Sequence, residues 1–136
     1  MKIITFTVTL SLLSIAVLGQ TYTKAELKYR PKTLDEAILQ LAKLHHDTTK
    51  KQLIAITEDQ FKLYSHFESG TWIRNKWKLW SRGKLSKYFN SIGVFHPDDM
   101  SGIILTSYYR HLKGQDRELE KQVKYYQDFW EASKDR

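Results

Sequence analysis

Apolar residues recur at helical spacing along most of this chain, and the polar residues between them mark where helices start and stop. Leu34, Ile38, Leu41 and Ala42 stand at i, i+4, i+7 and i+8, with Leu44 on the same side, a stripe that predicts an amphipathic helix. Thr33-Leu34-Asp35-Glu36 ahead of it reads as a capping box, in which the Thr hydroxyl accepts from the Glu amide while the Glu side chain reaches back. Asp47-Thr48-Thr49 is expected to cap a second, short helix carrying Leu53, Ile54 and Ile56. Thr57-Glu58-Asp59-Gln60 repeats the box, Phe61, Tyr64 and Phe67 follow at helical spacing, and Gly70 is expected to stop that helix.

Ile73, Trp77 and Trp80 then stand at i, i+4 and i+7 and are expected in the core, with Trp72 and Leu79 to one side. Leu85, Tyr88, Phe89 and Ile92 form the next stripe, closed by Gly93 as the residue that turns left-handed after a helix. His96-Pro97-Asp98-Asp99 opens a longer helix: Pro suits a first helical position, and the two carboxylates favour the positive end of the helix dipole. Its face is Met100, Ile103, Ile104, Ser107, Tyr108 and Leu112, and Gly114 ends it. A last helix carries Leu119, Val123, Tyr126, Phe129 and Trp130 on one side and Glu118, Lys121, Lys124 and Asp128 on the other. No segment alternates with a sustained period of two. The pattern predicts an all-α fold, a compact bundle of five to seven short helices.

The start of the chain adds a compartment. Met1-Lys2 is followed by an uncharged stretch from Ile3 to Leu18, then by the small residue Gly19, the pattern of a cleaved secretory signal peptide over 1–19. Five of those sixteen residues are Thr or Ser, whereas a spanning helix needs about 20 predominantly apolar residues. The expected organisation is therefore a signal over 1–19, an N-terminal arm over 20–32, a helical core over 33–114 and a C-terminal helix over 115–136. The expected location is secreted or periplasmic, with no stable transmembrane span after cleavage. There is no Cys, so disulfides, a lipid-bearing cysteine and thiolate metal sites are excluded.

The chain has 22 Lys and Arg against 15 Asp and Glu, and removing Lys2 with the signal leaves 21 − 15 = +6. That charge favours an anionic partner, an unknown protein or an anionic envelope component. Nucleic acid would fit the charge but not the compartment. The basic residues are spread along the chain.

Few residues carry candidate chemistry. His45 and His46 are adjacent and point about 100° apart on a helix, so they do not chelate one metal at i, i+4 spacing; no metal or cofactor is expected. His66, His96, Asp98 and Asp99 would form a His/Asp site if the helix ends bearing them met. Arg74 lies three residues before Trp77, which would let its guanidinium lie over the indole. Arg74 is also expected to contact Asp98 or Asp99, because a buried guanidinium needs a counter-charge. With Asn75 and Trp72 it makes a candidate binding region, Arg being the planar fork that takes anions bidentately. Ser81, Ser91 and Ser101 lie in no nucleophile elbow.

Two segments, His66-Phe67-Glu68-Ser69-Gly70-Thr71-Trp72-Ile73-Arg74-Asn75-Lys76-Trp77-Lys78-Leu79-Trp80 and His96-Pro97-Asp98-Asp99-Met100-Ser101-Gly102-Ile103-Ile104-Leu105, occur in order after Pro31-Lys32-Thr33-Leu34-Asp35-Glu36-Ala37. They resemble an uncharacterised bacterial domain family with HFGLGxxIRNxWxLW and HPDDxSGIIL segments and a PKTLDEA start. The resemblance spans Pro31 to Leu112 and departs at Glu68-Ser69, where the family tends to have Gly-Leu. It implies a domain of unknown function and a bacterial origin, implies no activity, and marks His66, Arg74, Asn75, His96, Asp98 and Asp99 as motif positions.

Two functions fit these residues. One is an exported helical module that binds a partner through an aromatic and basic surface. The other is a small hydrolase or metal-assisted enzyme using His66, His96, Asp98 and Asp99. Histidine and carboxylate within hydrogen-bond reach in a cleft favour the enzyme; the same residues engaged in caps and ion pairs favour the binder.

Overall fold

The computed structural model describes residues 22–134. The signal segment expected over 1–19 lies outside them. The described residues form eight α-helices and one π turn, with no strand among them. They are α1 (Lys24–Lys28), α2 (Leu34–Leu44), α3 (Asp47–Ile54), α4 (Glu58–Ser65), the π turn (His66–Gly70), α5 (Thr71–Lys76), α6 (Lys84–Ser91), α7 (Pro97–Leu112) and α8 (Leu119–Ser133). Among the described residues no helix is long and apolar enough to cross a membrane.

The fold is built around α7. Helices α2, α3, α4, α5, α6, α8 and the π turn all pack against it, so α7 is buried over most of its length. Met100, Ile103, Ile104, Leu105, Tyr108 and Tyr109 are buried, with Ser101, Thr106 and Ser107 among them. Helix α2 contributes Leu34, Ala37, Ile38, Leu41 and Leu44, the stripe read from its sequence plus Ala37. Thr33 caps α2 by accepting from the Glu36 amide at 3.3 Å. The Glu36 carboxylate does not close the expected box: it accepts from the Lys32 amide at 2.8 Å and the Tyr29 hydroxyl at 3.0 Å. The arm before α2 contains the single helical turn α1, tied back by Gln40 Nε2 donating to the Glu26 carbonyl at 3.0 Å. Helix α3 begins with Asp47 inside the helix and His46 as its N-cap, without a side-chain cap bond. At the start of α4 the Thr57–Gln60 capping box closes in both directions.

Gly70 does not stop α4. The helix runs on through the π turn into α5, and the reason is legible in its buried positions. Phe61, Ser65, Ser69, Ile73 and Trp77 are all buried, a strict spacing of four. At about 100° per residue an α-helix would carry Trp77 roughly 160° round from Phe61. The π turn, with its wider i→i+5 hydrogen bonding, unwinds the helix enough to keep that face on α7. Tyr64 and Phe67, assigned to the face at α spacing, are instead exposed.

Trp80 also departs from expectation. It is 62% exposed, while Ile73 and Trp77 lie in the core. The cause is a helix stop: α5 ends at Lys76, Lys78 turns left-handed at φ 57°, and the Leu79 amide donates to the Arg74 carbonyl at 2.9 Å. This is a Schellman closure, which tucks the following apolar residue inward. Leu79 takes the buried place, so a seventh-residue extrapolation from Ile73 no longer applies. The same closure ends α6, where Gly93 has φ 86° and the Val94 amide donates to Phe89.

Candidate functional site

His96 is the N-cap of α7, and its Nδ1 accepts from the Asp98 amide at 3.2 Å. Pro97 occupies the first helical position, and Asp98 and Asp99 follow in the first turn. Asp98 Oδ1 pairs with Arg74 Nε at 3.1 Å, the contact expected from the sequence. The other two Arg74 nitrogens are also engaged: Nη1 donates to Ser101 Oγ at 2.8 Å and Nη2 to Thr71 Oγ1 at 3.1 Å. Arg74 is 7% exposed, so this one guanidinium fastens α5 to the first turns of α7. Gly70 makes room for it, since a Cβ there would stand 2.8 Å from Nη1. The guanidinium does not lie over Trp77; among the described residues the cation over a ring is Lys113 above Tyr109, at 5.7 Å.

The pair has a measurable signature. Asp98 is partly exposed at 42% of its side-chain area, so the full cost of breaking a buried pair does not apply. Arg74→Met is expected to lose about 2–3 kcal/mol, because Ser101 and Thr71 lose their donor as well. Asp98→Asn is expected to lose less. A double-mutant cycle read by urea unfolding should give about 1 kcal/mol of coupling; strictly additive losses would refute a direct interaction.

Asp99 points the other way. Its Oδ2 accepts from the Trp130 indole Nε1 at 2.7 Å, joining the start of α7 to α8. Burial pushes the Asp99 carboxyl above its usual range, while the Trp130 hydrogen bond and nearby His96 pull it back. Tyr126, on α8, is pushed up to about 12 by burial first and by the charge of Asp99 next. Its hydroxyl lies so close to Gly102 that any Cβ there would collide with it.

Around these residues opens a cleft of about 500 Å³, lined by Phe95, His96, Asp99, Tyr126, Trp130 and Lys134 among others. His96 has Trp130 tilted against it at 5.3 Å and Trp80 edge-on at 6.2 Å. Phe129 stands edge-on to Trp130 at 5.4 Å. Phe95 is 72% exposed, and Trp80, Phe129 and Trp130 are exposed with it. Trp80, His96, Trp130 and Phe129 thus form a chain of ring contacts open to solvent, a ledge that Phe95 extends from the position before His96.

The structure brings together Arg74, His96, Asp98 and Asp99 of the sequence candidates, but not as a reactive group. His96 is committed to its cap, Asp98 to Arg74 and Asp99 to Trp130, and no hydrogen bond joins His96 to Asp99. His66 is exposed, edge-on to Phe67 at 4.9 Å, and lines a different cavity of about 100 Å³ with Ser65, Thr106 and Tyr126. Asn75 is exposed, and Trp72 is half-buried with its edge on Trp77 at 5.8 Å. Among the described residues no three His, Asp or Glu side chains are grouped to hold a metal ion. His45 is buried, and its Nδ1 shares a 2.8 Å hydrogen bond with the Tyr108 hydroxyl. Sequence reasoning missed Phe95, Tyr126 and Trp130 as site residues and placed Trp80 in the core. The one available signal for Tyr126 was Gly102, a glycine in the middle of a helix, which commonly records a close approach.

The chain belongs to the family described as a domain of unknown function (DUF6794), whose model matches residues 30–112. That stretch contains α2 to α7 and ends before α8, so Tyr126 and Trp130 reach the cleft from outside it. No curated protein and no solved structure matches the chain.

Proposed function

We propose that this member of the family is an exported helical binding module whose partner seats on the aromatic ledge around His96. The observation that carries the reading is the run of exposed rings, Trp80, Phe95, Phe129 and Trp130, gathered about one histidine. Exposed aromatic clusters of this kind supply large contact area at little entropic cost. Arg74, His96, Asp98 and Asp99 each already have an internal partner, and His66 lines a different cavity from His96, which supports binding over His/Asp hydrolysis. Export rests on the uncharged segment 3–18. The partner is a protein or an anionic envelope component.

The test is capture from the host's envelope fraction with the tagged wild-type chain and with Trp80→Ala/Phe95→Ala. Both substituted residues are largely exposed, so melting should be unchanged while the captured material is lost. Mass spectrometry of the wild-type preparation reads the N-terminus, expected close to Gln20. Equal capture by both chains would remove the ledge as the binding surface.

A further inference from the structure

The basic residues are spread along the chain, but the acidic ones are not. Between Glu68 and Asp98 there is no Asp or Glu at all, while the same stretch holds Arg74, Lys76, Lys78, Arg82, Lys84 and Lys87. Arg74 is consumed by Asp98. The other five are exposed, and none has a carboxylate within ion-pairing distance among the described residues. Lys78 and Arg82 lie two residues either side of Trp80, in the turn between α5 and α6. That turn meets the α6–α7 turn through the Trp80–His96 ring contact, and Phe95 directly precedes His96 there.

Lys84 has the Glu36 carboxylate within electrostatic range, but among the described residues no carboxylate on the ledge is left to answer Lys76, Lys78 and Arg82. Asp98 is paired with Arg74, Asp99 is buried against Trp130, and Glu131 is paired with Lys134 at 2.8 Å. Resting on the ledge reading above, we infer that the partner is an anionic phospholipid surface, on which Trp80 and Phe95 enter the headgroup layer while Lys76, Lys78, Arg82 and their neighbours lie over lipid phosphates. Trp and Phe beside Lys and Arg is the composition that holds peripheral proteins at such an interface. The cations are mainly Lys, which protein interfaces deplete and which acts as a point charge rather than a bidentate fork. A diffuse layer of phosphates suits them better than a shaped acidic epitope. The bundle itself stays outside the bilayer, with two aromatic turn residues as its only insertions from this face.

The experiment is co-sedimentation of the full chain with vesicles of phosphatidylcholine alone and of an equal mixture of phosphatidylcholine and phosphatidylglycerol. Three chains are compared: wild type, Trp80→Ala/Phe95→Ala, and Lys76→Gln/Lys78→Gln/Arg82→Gln. All carry the same N-terminal segment, so differences belong to the ledge. Wild type should bind the anionic vesicles, and added salt should weaken it. Each cation near an anionic surface is worth about five-fold in partitioning, so the triple variant should lose on the order of a hundred-fold. The aromatic variant should lose roughly ten-fold or more. The Gln substitutions are on exposed positions, so that variant should remain folded if the aromatic one does not. Equal binding to both vesicle types, variants indistinguishable from wild type, or retention on heparin without vesicle binding would each overturn the lipid assignment. Envelope capture that depends on Trp80 and Phe95 with no vesicle binding would leave the ledge in place and replace lipid with a protein or glycan.

Discussion

Replacing Trp77 with Ala is expected to cost about 3–5 kcal/mol, a large fraction of the stability of a domain this size. The indole is 3% exposed, stands against Trp72, and belongs to the single cluster that includes Ile73, Leu79, Phe89 and Ile104. Its removal leaves a cavity where the continuous helix ends, a place with little freedom to collapse because Arg74 pins the preceding turn to α7. Trp80→Ala, three residues on, is expected to be nearly neutral. Urea unfolding of the two variants side by side measures the contrast. A Trp77→Ala chain with the wild-type midpoint would mean the indole is not a core residue.

Acid should weaken the fold through His45 before the carboxylates take part. Burial lowers His45 to about 4, and the nearby Lys50 charge acts in the same direction. In the unfolded chain it titrates at its ordinary value of about 6.5. Its folded form is therefore favoured neutral, and its contribution is complete above pH of about 6.5 and is lost as pH falls towards 4. The difference amounts to about 3 kcal/mol across that window. Glu26, Glu36 and Glu58 are held below the usual carboxylate range by hydrogen bonds from Thr23, Lys32 and Arg110 respectively, so their losses come at lower pH. Asp99, raised by burial, contributes with the opposite sign. It is common to wild type and His45→Leu, so the comparison cancels it. Wild-type urea midpoints should fall between pH 7 and pH 4.5, and those of His45→Leu should fall much less. Parallel curves would exclude His45 as the source.

Local chemistry was readable: the Thr33 and Thr57 caps, Pro97 at a first helical position, and the left-handed Gly93 follow from side-chain and backbone preferences acting over a few residues. The pairing of Arg74 with Asp98 or Asp99 was readable too, because an unpaired buried guanidinium is so unfavourable; which of the two carboxylates it takes was not. Periodicity failed where the helix itself departed from α pitch. The burial of Ser65 and Ser69 with exposure of Tyr64 and Phe67 follows from an unwound turn, and a pattern tuned to 3.6 residues assigns those positions to the wrong faces. Trp80 was misplaced because Lys78, a non-glycine residue, makes the left-handed stop that sequence reasoning assigns to Gly or Asn. The cleft was least visible, because Tyr126 and Trp130 come from a helix far along the chain and no local rule says which end of the bundle it covers.

That helix nevertheless leaves its imprint on the segment it does not belong to. Gly102 sits in the middle of α7 with no turn to make, and the vacant Cβ position is filled by the Tyr126 hydroxyl. A single missing methyl thus acts as a socket that fixes where α8 lies, and through α8 it fixes how far Trp130 reaches towards Asp99. The berth for the C-terminal helix is written into residues 30–112, whereas the side chains that occupy it are not. The α8 share of the ledge, Phe129 and Trp130, can therefore be retuned without disturbing the core that α7 organises.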